Sequence, residues 1–440
     1  MAKKENTVVE PVETTTTIDA PYELPEGWKW VRLGEVFNVL NGYSFKSDNY
    51  VTEGIRIIRI TNVQDGFIED LKPCFYPIDT VNEIHDYMLY ENDLLISLTG
   101  NVGRIALLPK EYLPAALNQR VACLRPYLNS VLKEFFAFYL RQPQFLNECI
   151  KSSKGTAQLN MSTEWLKRYP IPLPPLTEQQ RIVNRIENMF AKLDEAKEKA
   201  QNVVDSIETR KAAILHQAFT GNLTAKWRKE NGVSDDLWEE KRLEDVCEFI
   251  TKGTTPKKED MSIGFGDIPY IKVYNLCFDT SLDFSVDPTF VKKESHEKFL
   301  ARSITLPGDV LMNIVGPPFG KVSMVPDDYP EWNINQAIAR FRCKEVLLNT
   351  YLANYLISPK TIESMTRQMK TTAGQQNLTL EICRNITISV PSVSEQQEIV
   401  HILDTVLEKE RTAKSTAEQV LEQIDLLKKS ILARAFRGEL

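Results

Sequence analysis

The sequence predicts an α/β protein. Two similar globular domains are separated by two long antiparallel coiled-coil helices and related by a pseudo-twofold internal repeat. Three observations predict this. The second half of the chain repeats the first. Each half opens with short β-branched and apolar runs between turn signals. Each half closes on a seam of apolar residues spaced alternately by three and four.

The repeat is carried by residues that keep their order. Trp28, Arg32, Leu33 and Val36 match Trp238, Arg242, Leu243 and Val246, an offset of 210. Ile55, Ile58, Arg59, Ile60 and Asn62 match Ile268, Ile271, Lys272, Val273 and Asn275, an offset of 213. Asp93, Leu95 and Gly100 match Asp309, Leu311 and Gly316 at 216. From Asn118-Gln119 against Asn335-Gln336 the offset is 217, and it holds to Gly221 against Gly438. Register of this length does not arise by chance.

Within each half, Ile55–Ile60, Asp93–Leu98 and Arg104–Leu108 read as strands, with partners Tyr270–Val273, Val310–Val315 and Lys321–Val325. A short helix follows, Val131–Leu140 and Leu348–Ile357. Prolines from Pro170 to Pro175, and Pro391 in the second copy, end a strand and turn the chain. Thr177 and Ser394 are then expected to cap the long helices, with Gln180 and Gln397 completing capping boxes. In the first helix the seam is Ile182, Ile186, Met189, Leu193, Ala196, Ala200, Val203 and Ile207. Adding 217 gives Ile399, Leu403, Val406, Glu410, Ala413, Ala417, Val420 and Ile424, with one polar break at Glu410. Gly221 is placed to stop the first helix. A helix of about 44 residues is roughly 65 Å long, and one apolar stripe of that length needs a partner. A pseudo-twofold axis makes the other copy that partner, antiparallel, and makes the helices spacers. The expected order is a disordered lead over 1–22 and a globular domain over 23–175. A spacer helix over 176–220 and a polar linker over 221–237 follow. A second globular domain spans 238–392 and a second helix 393–440.

Composition narrows the class. At 440 residues, 42% hydrophobic and 26% charged, the chain can form several cores. No apolar run approaches the roughly 20 residues a membrane helix needs. The Thr- and Glu-rich segment Met1–Tyr22 lacks the apolar core of a secretory signal. Seven scattered cysteines, with no Cys-x-x-Cys, lack metal-ligand spacing and read as reduced thiols in a cytoplasmic protein. A net charge of −7 argues against a free-standing, tight DNA binder. It leaves room for a local basic cleft or for partners that supply phosphate contacts.

The plan resembles the specificity subunit of a type I restriction-modification enzyme. Leu24-Pro25-Glu26-Gly27-Trp28 looks like that family's domain opening, and Pro172-Leu173-Pro174-Pro175-Leu176-Thr177-Glu178-Gln179-Gln180 like its domain-to-helix junction. Ala218-Phe219-Thr220-Gly221 and Ala435-Phe436-Arg437-Gly438 resemble its helix endings, and Thr371–Asn377 its loop before the last strand. The resemblance spans Glu23 to Leu440 and implies two target recognition domains, each reading one half of a split site in double-stranded DNA. It implies two methylation subunits and further restriction (translocase and nuclease) subunits as partners. Cofactors are then absent from this chain, with S-adenosylmethionine, ATP and magnesium on the partners.

The chain's own residues offer little chemistry. Gly316-Pro317-Pro318-Phe319 comes near the Asp/Asn-Pro-Pro-Tyr/Phe turn of adenine methyltransferases, but glycine cannot accept the amino proton, so it reads as a turn. Asp235, Asp236, Glu239 and Lys241 loosely match a nuclease pattern in a polar linker. No phosphate-binding loop is present, and His85, His216, His296 and His401 do not cluster in sequence.

Candidate DNA contacts are loop residues repeated in position but differing in kind. The early loop offers Tyr43 and Lys46 against Lys257 and Lys258, with Gly42 and Gly253 allowing close backbone approach. The glycine turn offers Arg104 and Lys321, which can read guanine. Asn118-Gln119 and Asn335-Gln336 are identical and read as structural, whereas Arg120 stands opposite Ala337. A fourth loop offers Lys154, Gln158, Lys370 and Gln375, with Lys151 and Arg367 enlarging a positive patch. An orphan DNA-binding adaptor and a non-DNA coiled-coil scaffold are the alternative readings.

Overall fold

The computed structural model describes residues 22–155, 159–234, 238–316, 318–372 and 375–440. The expected disordered lead therefore lies almost wholly outside the described residues. The chain divides into two compact units. One comprises Met1–Ala200 with Gln419–Leu440, the other Gln201–Glu418. Each long helix is thus divided between the two units.

In the first unit, four antiparallel strands lie in the order Phe37–Asn41, Val121–Pro126, Leu94–Ser97, Ile105–Leu107. A second sheet orders Phe75–Tyr76, Ile55–Ile58, Ala115–Leu117 and Met88–Leu89, with its two central strands parallel. The second unit repeats both. Its first sheet runs Cys247–Lys252, Ile338–Cys343, Val310–Asn313, Val322–Met324. Its second gains a strand, Met261–Ile263, beside Thr289–Val291, Ile268–Ile271, Trp332–Ile334 and Ile304–Thr305. The predicted strands are present, shortened by one or two residues at one or both ends, except that the one expected over Tyr270–Val273 is shifted to Ile268–Ile271. Val273 begins a 3₁₀ turn, Val273–Asn275, instead of ending a strand. The predicted short helices are Lys133–Tyr139 and Asn349–Leu356.

The proline stretch behaves differently from the expectation. Pro170–Leu173 does not merely stop a strand; it is one, pairing antiparallel with Lys29–Arg32. In this two-stranded ribbon proline's missing N–H costs nothing on the open edge.

The long helices are Leu176–Phe219 and Val393–Ala435. The capping expectation needs correction. The Ser392 hydroxyl, not Ser394, accepts the Glu395 amide at 3.3 Å, and Pro175 fills the same place in the first helix. The glutamine that acts is Gln179, not Gln180. Its amide oxygen accepts from Leu132 N–H at 2.8 Å, and its Nε2 donates to Ser130 and Pro174 carbonyls at 2.9 Å. Gln396 makes the same three bonds to Leu348, Val346 and Pro391. Both glutamines are fully buried, so each is a repeated clamp between globular domain and helix.

In the first unit, Lys428 pairs with Asp194 and Lys197 with Asp425, so the two helix segments run antiparallel there. Ile182 and Ile186 from one helix and Leu432 and Ala435 from the other join one core with the first sheet. In the second unit Leu215 and Ala218 meet Ile399 and Leu403 in the equivalent core. The predicted seam is buried or half-buried except at Val203, which is exposed. The polar break at Glu410 is answered by Arg210, whose Nε and Nη2 reach the carboxylate at 2.7–3.0 Å. That bond holds the Glu410 carboxyl below its usual range. The first helix ends where Gly221 was expected to end it, at φ +78°; the second, expected to run to 440, stops at Ala435, with Gly438 at φ +75°.

The expected linker is not featureless. It carries a helix, Ala225–Asn231, whose Arg228 is buried and donates to Glu395 at 2.6 Å. Thr224 and Trp238 Nε1 donate to the same carboxylate. The segment is thereby packed onto the start of the second long helix. No helix among the described residues is long and apolar enough to cross a membrane.

Candidate nucleic-acid interface

All four predicted loops converge in the first unit. Tyr43 N–H donates to the Leu117 carbonyl at 2.8 Å, and Gln119 N–H returns to the Tyr43 carbonyl at 2.9 Å. Leu98 N–H donates to the Arg120 carbonyl, and Met161 N–H to the Leu98 carbonyl. Lys154 and Asn160 exchange backbone bonds, and Asn160 accepts from the Thr99 hydroxyl at 3.2 Å. The early loop, the Asn118–Arg120 turn, the Leu98–Arg104 turn and the loop from Lys154 thus form one edge.

The second unit builds the same edge. Thr254 N–H donates to the Ile334 carbonyl, Ile314 N–H to Ala337, and Leu378 N–H to Ile314. Asn377 bridges Val315. The backbone frame is shared, and the side chains on it differ.

The candidates fare unequally on this frame. Arg120, Lys46 and Lys154 are exposed, as are Lys257 and Lys258. Lys257 lies 3.7 Å from Glu259. Tyr43 is 39% exposed and its ring packs on Phe45 and Tyr87, so only its rim is free for a ligand. Arg104 is half-buried and donates to Gln64 Oε1 at 2.5 Å. Lys321 lies over the Phe278 ring, 5.6 Å from its centre. Gln158 lies outside the described residues. Lys370 and Gln375 lie on the paired strands Lys370–Thr372 and Gln375–Asn377. Lys151 and Arg367 are engaged by Glu148 and Glu363 on their own helices, which weakens the expected positive patch.

The glycines need a different account. A Cβ on Gly42 would collide with the Asn118 carbonyl, and one on Gly253 with the Ile334 and Asn335 carbonyls. Their close approach is to the protein's own neighbouring turn. Asn118 and Asn335 are structural, as expected: each Oδ1 accepts from the N–H two residues on, at 3.3 and 2.8 Å.

Sequence reasoning missed a basic group beside the second edge. Arg302 Nε donates to the Thr254 hydroxyl at 3.1 Å, and Arg340 Nη2 to Thr251 and to the Arg302 carbonyl. Burial pulls the Arg340 guanidinium down to about 10. The residue 217 positions earlier is Cys123, a thiol that burial pushes up. The inequality of that aligned pair was the available signal. Also missed were two repeated ion pairs, Asp93 with Arg125 and Asp309 with Arg342, although both aspartates stood out in the repeat.

No catalytic constellation emerges from the described residues. The Gly316 turn is tied by Asn313, which donates to Pro318 O and accepts from Lys321 N–H. Ser97 ties the matching turn of the first unit to Asn101 and Arg104. Pro317, Asp235 and Asp236 lie outside the described residues, and Glu239 and Lys241 pair with each other. Among the described residues no group of three His, Cys, Asp or Glu side chains could hold a metal ion.

A family model described as type I restriction modification DNA specificity domain matches residues 25–205 and 235–423. The type I restriction enzyme EcoBI specificity subunit of Escherichia coli is 27% identical over 438 residues, 96% of this chain and 88% of that protein. The EcoKI specificity subunit of E. coli strain K12 is 24% identical, covering 95% of this chain and 90% of that one. The HsdS subunit from Thermoanaerobacter tengcongensis has a similar fold, with TM-score 0.62 at 20% identity over 96% of this chain and 99% of that one. A chain from a structural study of type I R-M complex assembly superposes with TM-score 0.72 at 21% identity, covering 96% of this chain and all of that one.

Proposed function

This chain belongs to the type I restriction-modification DNA specificity family, and on that premise we propose how its two units divide the work. Each unit reads one half of a split duplex-DNA site through the edge described above. The observation that carries this is the repetition of one backbone frame with unlike side chains on it. Arg120 stands where the other half has Ala337, and Cys123 where it has Arg340. A common frame presents both edges to DNA in the same way, and the differing side chains give two different half-sites. Arg120, Lys46, Lys154, Lys257 and Lys258 are exposed cations on these loops.

The chain performs no chemical step itself. It acts in the cytoplasm as the DNA-reading member of an assembly with two methylation subunits and with restriction subunits. S-adenosylmethionine, ATP and magnesium belong to those partners. The net charge of −7 supports this, because partners then supply much of the phosphate neutralisation.

The test is methylome sequencing of cells carrying this chain with its methylation subunit, beside cells in which the chain is deleted. A split adenine-methylated motif that disappears on deletion is the expected result. An unchanged methylome refutes the modification role. Binding of the chain alone to duplex DNA would then favour an adaptor without methylation partners.

A further inference from the structure

We propose that Arg302 reads a guanine in the half-site of the second unit, donating through both terminal nitrogens to guanine O6 and N7 in the major groove. This rests on the reading that each unit recognises one half of a split duplex site. Arg302 lies on the 3₁₀ turn Ala301–Ser303, outside the four loops that carry the other candidate contacts.

The residue is held at both ends. Its Nε donates to the Thr254 hydroxyl at 3.1 Å. Thr254 is itself fixed on the edge: its N–H donates to the Ile334 carbonyl, and its carbonyl accepts from the buried Tyr270 hydroxyl at 3.0 Å. Arg340, 6% exposed and lying over the Phe249 ring, donates to the Arg302 carbonyl at 3.4 Å and to the Thr251 hydroxyl at 3.1 Å. Arg302 is nonetheless exposed, and no carboxylate among the described residues pairs with it. The tether occupies Nε, so Nη1 and Nη2 remain as a parallel pair of donors. The base edge that accepts such a pair in the major groove is guanine, through O6 and N7. A side chain already fixed before binding loses less freedom on binding.

The repeat separates base reading from phosphate contact. Ile304 pairs with Asn333 as Met88 pairs with Ala116, and each of these short strands follows a 3₁₀ turn. The residue matching Arg302 is therefore Asp86, 216 positions earlier and also exposed. Phosphate is the same in every sequence, so a phosphate contact suits both halves, and a carboxylate in its place repels phosphate. The supports differ as well. Thr254 stands where the first unit has Tyr43, whose ring packs on Tyr87. Arg340 and Thr251 stand opposite Cys123 and Leu40. Reader, tether and support thus change together between the halves, as a group that sets one half-site does.

The test uses the full chain with its methylation subunits, as wild type, Arg302→Ala and Arg302→Gln. Selection from a randomised duplex library gives the motif of each. Both variants should lose preference for guanine at one position of one half-site, by about fivefold or more, with every other position unchanged. Placing 7-deazaguanine at that position removes N7. It should weaken wild type by about threefold or more and leave the variants unaffected. Should one variant fail to fold, the other decides. An unchanged motif overturns the proposal. So does a loss spread evenly over all sequences with a salt slope reduced by about one, the mark of a phosphate contact. A 7-deazaguanine penalty equal in wild type and variants, or a preference lost at an A·T pair, overturns it too. A wild-type assembly that selects no split motif refutes the half-site reading and the proposal with it. A split motif that survives both Arg302 variants refutes the proposal alone.

Discussion

Replacing Asp309 by asparagine should destabilise the second unit by about 3 kcal/mol. The carboxylate is 3% exposed and accepts from Arg342 Nε and Nη2, both at 2.7 Å, and from Leu306 N–H at 2.9 Å. Asparagine keeps the shape but turns an NH₂ donor towards a guanidinium that can only donate. Breaking one side of a buried pair costs roughly 3–5 kcal/mol. The lower end applies because Arg342 is 24% exposed and regains some water. Unfolding entropy near 2.1 cal/mol/K per residue, over the roughly 220 residues of this unit, converts about 3 kcal/mol into a fall in Tm of about 7 °C. Arg342→Met leaves the buried carboxylate unanswered and should cost at least as much. The double change Asp309→Leu with Arg342→Met removes both charges and should recover most of the loss. Asp93→Asn should act with similar size on the first unit, where Asp93 is bound by Arg125 at 2.7 and 3.1 Å. Urea denaturation and calorimetry of the full chain measure these changes. Asp309→Asn within about 1 kcal/mol of wild type, or a double variant no better than the singles, would refute the reasoning.

Other predictions concern reading and the helices. Arg120→Ala should relax base preference in one half-site by about 1–3 kcal/mol of discrimination and leave the other half-site unchanged, as read by binding to a randomised duplex library. Lys154→Ala should weaken binding evenly across sequences and reduce its salt slope by about one. Glu410 has a carboxyl held below its ordinary range by Arg210, so the pair's contribution is present above pH about 4.5 and is lost as pH falls through the folded value. Glu410→Gln should therefore lower the urea midpoint at pH 7, with the difference from wild type shrinking under strongly acid conditions. Deleting one matched heptad from Ala196–Val203 and from Ala413–Val420 keeps the seam in register. It should change the spacing of the two half-sites while their bases stay the same, as methylome sequencing would show. Altered bases would refute the spacer role.

Much of this was legible in the chain because repetition is a linear property. The offset fixed which residues correspond, β-branched and apolar runs between turn signals marked the strands, and alternate spacings of three and four marked the helix seam. Glycine at 221 announced the end of the first helix, since a left-handed residue is cheap only there. The polar break at Glu410 was visible, but its partner was not: Arg210 is 200 residues away and meets it only because the helices pair. The glutamine clamp was hidden likewise. Gln179 and Gln180 are indistinguishable in sequence, and only packing decides that Gln179 turns inward to three backbone groups.

The sequence by itself determined the number of halves, the order of elements in each, and the family to which they belong. All of these depend on residue type and spacing along one dimension. Tertiary structure alone decided that each long helix is shared between two units, that four separated loops form one edge, and that Gly42 and Gly253 serve their own fold. It alone decided which cations stay exposed and which are consumed by neighbours such as Gln64, Glu148 and Glu363. A charge on a loop becomes a reader only if no nearer group satisfies it, and nearness in a folded chain is not written in residue order.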